Sequence, residues 1–586
     1  MTSDELTAAP TVVLQEGGQW WRFEAFERAV VAWRADEVAA AVRQVERAVE
    51  EDGLLAAGYL AYEAAAAYGL SVHPPPPDGP PLLWFGLFHR RAAILAASLS
   101  DGRYHFGEWQ PALDFPAYAA ALKRIKAAIA RGDTYQANFT FPLRADFAGD
   151  PRALFAALSA AQRAEYGAYL DLGRFVICSA SPELFFRRDG ERIESRPMKG
   201  TAHRGLTAAE DRAQIEWLRR SEKNRAENVM IVDMIRNDLG RVARVGSVAV
   251  PQLFAVERYP TLLQMTSTVT ALTDAPLSDV LAAAFPCASI TGAPKKRTME
   301  LLRELEVGPR GVYTGAIGVV LPGRRAQFNV AIRTAIIDRA RGAAVYHVGS
   351  GVVWDSDAAA EFEECRLKAR VLSAPPAPPF QLLESLLWTP GEGYALREAH
   401  LRRLAESGEY FGYPVSLMAA AARLDELAVG LAAPGKVRLL VGPGGEVEVE
   451  ARPLAEGAPP EPLRLGLARD AVSSADVWLY HKTTHRAAYD AARAARPDCD
   501  EVILWNERGE LTEATTSNMV LELDGGRWTP PVSAGLLAGT LRARLLAAGE
   551  IAERTLTLVD LARAEGIWLI NSVRGWQTAR FVDKTG

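Results

Sequence analysis

Chemistry in this sequence is concentrated in a few short stretches. In Arg196-Pro-Met-Lys-Gly-Thr201, Lys199 lies between Pro197, which fixes φ, and Gly200, which opens backbone angles closed to other residues. The combination reads as a rigid turn able to aim Lys199 at a fixed point. A free lysine has a pKa of ~10.4, so only about one molecule in 2,500 carries the neutral amine at pH 7. Work as a nucleophile needs burial or cationic neighbours that lower this value. The same residues also fit a surface turn with a solvated lysine. Further along, Glu361 and Glu364 stand at i and i+3 on one helix face, where like charges repel unless a cation lies between them. Open carboxylates so placed suit Mg²⁺, although helix surfaces also carry such pairs without a metal. Glu227 shares its helix face with Ile231 and Met234, so it points partly inward, and an inward carboxylate needs a cation. In the second half, Tyr-His-Lys-Thr-Thr-His-Arg centres on Lys482, and Glu513, Thr515, Thr516, Ser517 and Asn518 follow. Gly539 and Thr540 then open a helix whose backbone N–H groups suit a phosphate.

These residues need elements to hold them. Helical spacing is expected over Asp36–Glu51, over Phe115–Ala130 with a stop near Gly132, and over Glu222–Leu239, ended by Gly240. On the last, Asp233 is expected to pair with Arg236 or Asn237. Asp133, Tyr135, Gln136, Asn138 and Thr140 alternate into an apolar strand. Strand-like segments run from Gly167 to Ala180 and from Glu183 to Arg188. Pro286–Glu300 reads as a turn opening a helix, and Phe328–Ala335 as a strand carrying Arg333. A Gly349-Ser350-Gly351 turn leads through Asp355 to the helix of Glu361. Ser373–Pro379 is an extended proline-rich linker, dividing the chain into 1–372, 373–379 and 380–586. Beyond it come Phe380–Trp388, a helix with His400, Leu401, Arg403 and Leu404, and strands at Lys436–Val441 and Glu446–Ala451. A proline-rich crossover at Pro459–Pro462 and a hairpin over Glu501–Thr512 complete the pattern.

With 586 residues the chain is too long for one core, and two to four domains are expected. Composition is that of a soluble globular protein: 49% hydrophobic, 24% charged, net charge −6. That mildly acidic balance gives nucleic acid or an anionic membrane no reason to bind. No apolar run reaches the length of a membrane span, and residues 1–20 lack a signal-peptide layout. Cys178, Cys287, Cys365 and Cys499 are far apart and form no metal-ligand spacing, which fits a reduced cytoplasm.

From about Gly132 to Arg370 the first half resembles the chorismate-utilising enzymes, specifically the large component of aminodeoxychorismate synthase. The resemblance implies that Lys199 adds covalently to the ring, next to the side-chain-bearing carbon; anthranilate synthases carry alanine there. It implies that Glu183 is the general acid/base for the departing hydroxyl and that Glu227, Glu361 and Glu364 hold Mg²⁺. Tyr313, Arg333, Gly349 and Gly351 become binders of the substrate carboxylate, with Thr291 in the substrate loop. Gln264 stands where many relatives have histidine. The second half is similar to the class IV pyridoxal-phosphate enzymes, within them aminodeoxychorismate lyase. Here Lys482 matches the Schiff-base lysine and Glu513 the partner of the pyridine nitrogen. Arg403, Asn518, Gly539, Thr540 and Ser572 match cofactor-binding positions, and Arg574 a grip on a substrate carboxylate. The opening hairpin usual in that family has no counterpart ahead of Phe380.

The implied fold is α/β (α+β): large β-sheets flanked by helices in the first domain, and a two-subdomain α/β domain in the second. The implied function is two-step 4-aminobenzoate formation for folate, from chorismate and ammonia, with Mg²⁺ and pyridoxal 5′-phosphate as cofactors. No glutaminase-type Gly-x-Cys-x-Gly occurs, so ammonia would come from solution or from a separate glutamine amidotransferase subunit. A homodimer through the second domain is a further expectation. The alternatives are a branched-chain or D-amino-acid transaminase in the second half, and anthranilate or isochorismate synthesis in the first.

Overall fold

The computed structural model describes residues 9–95, 102–162, 164–372, 379–454 and 462–582. Most of the linker expected at 373–379, and residues 459–461 of the expected crossover, lie outside them. Two compact units emerge: Met1–His203 with Ile215–Ala377, and Arg204–Gln214 with Pro378–Gly586. Among the described residues no helix is long and apolar enough to cross a membrane.

Unit 1 is built on long antiparallel strands. Gln136–Gly149 alternates into an apolar stripe, and Phe139 and Phe141 on it are almost fully buried. Along one edge it pairs with Ala343–Val352, placing Gly351 opposite Asn138 and Gly349 opposite Thr140. Among the described residues, two large hydrophobic clusters fill most of the interior. One gathers Val42, Val45 and Val49 of the helix Ala35–Glu50 with Ile231, Val232 and Ile235 of the helix Glu222–Gly240. The other gathers Tyr118, Leu122 and Ile125 of the helix Phe115–Ala130 with Phe139, Tyr346 and Cys365. Asp114 caps Phe115–Ala130 by accepting from Ala117 N, with Pro116 in the first turn, so this helix starts where its signals place it. On Glu222–Gly240, Ser221 is the N-cap and Arg236 pairs with Asp233 at 2.6 Å.

Unit 2 contains two sheets. Gly393–Tyr394, Leu382–Thr389, Gly435–Val441 and Val447–Pro453 form an antiparallel four-stranded one. The helices Arg397–Phe411 and Leu417–Val429 pack on its core. The second sheet has eight strands and is mixed, with Leu463–Leu467 parallel to both Glu501–Trp505 and Gly575–Phe581.

Candidate active sites

The expected turn around Lys199 is the start of a strand, Met198–His203, whose pairing with Leu262–Leu272 shifts register between Met198 and Thr201. Gly200 makes this bulge possible: its φ is 98°, and an added Cβ would come within 3.1 Å of Asn224 and 3.2 Å of Met265. A bulge re-aims its neighbour, here the lysine. Asn228 donates to the Lys199 carbonyl at 3.1 Å. Gln264 donates to the Gly200 carbonyl at 3.0 Å and accepts from the Thr201 hydroxyl at 3.1 Å, so both ends of its amide clamp the bulge.

The lysine ends against the backbone of Gly351. A Cβ there would lie 2.7 Å from Lys199 Nζ and 3.1 Å from Gln136 Nε2. Gly349 to Gly351, expected as a turn, lie inside the strand Ala343–Val352. Gly349 is small because a Cβ would press on the Phe139 carbonyl at 2.6 Å. Burial lowers the Lys199 pKa; Glu227 pulls it up, and Lys368 adds to the lowering.

Glu183, 3% exposed, precedes the strand Leu184–Asp189 and accepts from the Ser289 hydroxyl at 2.6 Å. Burial pushes its pKa up to about 7, against Ser289 and Lys199. Burial also raises Glu227, opposed by Lys199 and Lys223 and reinforced by Glu361 and Glu364. For Glu364 burial acts upward, but Lys368 at 2.6 Å outweighs it and the net shift is downward. Glu361 accepts from the Ser356 hydroxyl at 2.7 Å. The carboxylates at 227, 361 and 364 therefore share one field. Even so, among the described residues no three Asp, Glu, His or Cys side chains close to metal-ligand spacing. Two of these three carboxylates are engaged by Ser356 and Lys368.

Arg333, expected within one strand, occupies the break between Arg325–Val330 and Thr334–Asp338. Its φ of 52° is a costly conformation that persists only where surroundings impose it. Its guanidinium donates to Gln162 at 2.9 Å and acts on Glu364. Tyr313 is buried and stacked on His347, ring centres 5.1 Å apart. Thr291 is fully buried with its hydroxyl turned back to the carbonyls of Cys287 and Ala288, while its own carbonyl accepts from Asn138 N. It frames the site and offers no hydroxyl to it.

Other members of the site carry no motif. Gln136, 1% exposed, approaches the Gly351 backbone together with Lys199, and among the described residues its Oε1 has no hydrogen-bond partner. Lys368 joins Glu364 to the Gly349 carbonyl at 2.9 Å. Arg310, also 1% exposed, donates to Glu306 and to the carbonyls of Asn138 and Ile290, and Glu306 in turn accepts from Thr140 N. The only signal available for Gln136 is its place in the polar alternation that opens Gln136–Gly149.

In unit 2 a cavity of ≈ 550 Å³ is lined by Arg403, Lys482, Glu513, Asn518, Gly539, Thr540, Ser572 and Arg574 together. Glu513 accepts from the Tyr489 hydroxyl at 2.7 Å, Leu537 N at 2.9 Å and Asn518 Nδ2 at 3.0 Å. Burial nevertheless pushes it up to about 7. Lys482 is lowered to about 8, by burial first and Arg403 second. Arg403 donates to Glu384 at 2.9 and 2.6 Å and to the Ala538 carbonyl at 3.1 Å. Glu384 also binds His400 Nδ1 at 2.6 Å; burial alone would raise its pKa, but these partners hold it at about 2. His400 Nε2 lies 3.2 Å from the Thr540 hydroxyl, at the start of the helix Thr540–Ala547. Gly539 leaves no room for a Cβ, which would sit 2.0 Å from Asn518 Oδ1. Ser572 reaches the Ser385 carbonyl at 3.4 Å, and Arg574 is exposed at the rim. A lysine with a lowered pKa, a buried carboxylate and a helix N-terminus facing one cavity fit pyridoxal phosphate.

Residues 97–374 match the chorismate binding enzyme family and residues 381–581 the class IV amino-transferases. The chain thus carries a chorismate-binding-enzyme domain followed by a class IV amino-transferase domain. An aminodeoxychorismate synthase of Streptomyces griseus is 45% identical over 262 residues, 44% of this chain and 36% of that protein. Anthranilate synthase component 1 1 of Haloarcula marismortui is 45% identical over 260 residues, 44% of this chain and 52% of that protein. The chain thus spans about half the length, or less, of these curated relatives. The solved anthranilate synthase component I of Streptococcus pneumoniae shares the fold, at 23% identity and a TM-score of 0.50, over 62% of this chain and 90% of that one.

Proposed function

We propose that the chain makes 4-aminobenzoate from chorismate and ammonia in two steps, one in each unit. The observation carrying this reading is the lysine amine on a bulged strand, its pKa lowered, against a glycine backbone and near a carboxyl group that titrates near neutrality. In unit 1 the neutral Lys199 amine adds to the chorismate ring as the 4-hydroxyl departs, and a proton from Glu183 makes the leaving group water. The secondary amine returns a proton to Glu183. Ammonia then adds at the carbon that lost the hydroxyl and expels Lys199, which takes that proton back. The new ammonium group finally reprotonates Glu183, closing the cycle. A carboxyl with a pKa of about 7 can give and take protons at neutral pH. Arg333, Tyr313 and the backbone at 349–351 orient the substrate carboxylate. Glu227, Glu361 and Glu364 have the donor chemistry for Mg²⁺, which would steady that carboxylate. Holding the ion requires Glu364 to turn from Lys368.

In unit 2, bound pyridoxal phosphate would supply an electron sink for loss of a ring proton from aminodeoxychorismate. Lys482 anchors the cofactor and carries the proton from the nitrogen-bearing ring carbon to the pyruvyl methylene. Pyruvate departs and the ring becomes aromatic. Glu513 would partner the pyridine nitrogen, Gly539, Thr540 and Ser572 would hold the phosphate, Arg403 and Asn518 order their surroundings, and Arg574 would meet the substrate at the rim. Ammonia would come from solution or a separate amidotransferase.

The test is a product assay on the purified chain with chorismate, ammonium, Mg²⁺ and pyridoxal phosphate. The expected result is 4-aminobenzoate with equimolar pyruvate. Anthranilate would overturn the assignment of unit 1, and accumulating aminodeoxychorismate that of unit 2.

A further inference from the structure

Unit 2 is assembled from two separate stretches, and the shorter one, Arg204–Gln214, comes from the other half of the sequence. Its contacts are those of a built-in part. Asp211, 1% exposed, accepts from the Arg204 guanidinium at 2.8 Å and from Gly205 N at 2.9 Å. Gly205 allows the tight fold, since a Cβ there would lie 2.4 Å from that of Glu210. Arg204 also donates to the Tyr410 carbonyl at 2.7 Å and lies over the Tyr410 ring at 4.1 Å. The Tyr410 hydroxyl answers with a bond to the Gly205 carbonyl at 2.8 Å.

Tyr410 leads to the chemistry. Its ring packs 4.4 Å from that of His481, the neighbour of Lys482, and Ser407 holds His481 Nδ1 at 3.0 Å. Leu206 packs against the hydrophobic cluster that contains Leu479, Tyr480 and Tyr489, and Tyr489 donates to Glu513. The short stretch therefore backs both the lysine loop and a partner of the buried carboxylate.

We propose that Arg204–Gln214 is a brace belonging to the class IV half, which holds the segment around Lys482 in position and without which that half is incomplete. The test uses the full chain with Asp211→Asn and, as the milder change, Tyr410→Phe, which removes only the bond to Gly205. Hydrogen exchange should quicken about tenfold or more over 479–485 in Asp211→Asn, the scale of one lost charge-assisted bond, and less in Tyr410→Phe. Exchange over 222–240 should stay as it is, and capture of pyridoxal phosphate, followed by absorbance, should slow. Unchanged exchange at 479–485 while 204–214 loosens would overturn the brace, as would uniform loosening of all of unit 2. The exchange readout does not depend on which reaction unit 2 runs, so it separates failure of the brace from failure of the proposed activity.

Discussion

Lys199 and Lys482 meet one requirement in the same way, because burial outweighs nearby carboxylates and lowers both pKa values. Such a lowering is a cost to folding. For Lys482 the folded value of about 8 lies below the reference 10.5. The cost is present in full below pH 8, shrinks between the two values and vanishes above pH 10.5. Lys482→Met should therefore stabilise the cofactor-free second unit by up to about 3 kcal/mol at pH 7, with the gain fading toward pH 10.5. Calorimetry of variant and wild type at pH 7 and pH 10 checks both size and sign. The same value predicts that the rate of pyridoxal phosphate capture climbs as pH rises through about 8 and then levels, read by stopped-flow absorbance. Gly351 poses a steric problem. Gly351→Ala puts a methyl group 2.7 Å from Lys199 Nζ, so the amine must move. A displacement of that order can lower turnover about 100-fold. Assay of aminodeoxychorismate formation, beside a melting curve that barely shifts, isolates the effect.

The bulge at Met198–Thr201 depends on Gln264, whose amide closes on both Gly200 and Thr201. Gln264→Ala removes two hydrogen bonds worth about 1–2 kcal/mol together and frees the lysine's backbone. Turnover in unit 1 should fall about tenfold while the reaction of unit 2, assayed separately with aminodeoxychorismate, is unaffected. Equal loss in both would mark a general folding defect. The sequence makes such elements legible where their signals are local. Phe115–Ala130 has a capping aspartate, an early proline and an apolar stripe, and it forms over that span. The glycines at 349 and 351 mislead, because they look like turn residues and are strand residues made small by what crosses them. Arg333 misleads for a related reason: its strand-like flanks hide a break imposed by tertiary contacts. Type and spacing single out Lys199, Glu227 and the Glu361–Glu364 pair as candidates, whereas Glu183, Lys482 and Glu513 gain a role only through the family resemblance. Gln136 and Arg310 could not be singled out, since strand pairing and buried contacts distant in sequence bring them to the site, whereas Lys368 stands one helical turn beyond Glu364 and only its bond to the Gly349 carbonyl is longer in range.

At the scale of the whole chain, the two sets of candidate groups are separable. Glu183, Lys199, Glu227, Arg333, Glu361 and Glu364 all belong to unit 1, whereas Arg403, Lys482, Glu513 and Thr540 all belong to unit 2. The composition of 373–379 suggests a boundary, but 204–214 carries nothing in its composition that assigns it to the far half. If each unit holds its own complete machinery, the intermediate need not stay on one chain. Joining two modules raises the local concentration of a product only to the millimolar range, and bulk intermediate can match that over time. Lys199→Ala should abolish the first step and Lys482→Ala the second. Mixed in equal amounts with chorismate, ammonium, Mg²⁺ and pyridoxal phosphate, the two variants should regain 4-aminobenzoate formation. A lag should precede it and shorten as total protein rises, because aminodeoxychorismate released by one chain must accumulate before the other turns it over. Chromatography of timed samples would show the intermediate rising ahead of the product. If each variant keeps its own remaining step yet the mixture makes no 4-aminobenzoate, the intermediate is handed over within a single chain, and independent sites are ruled out.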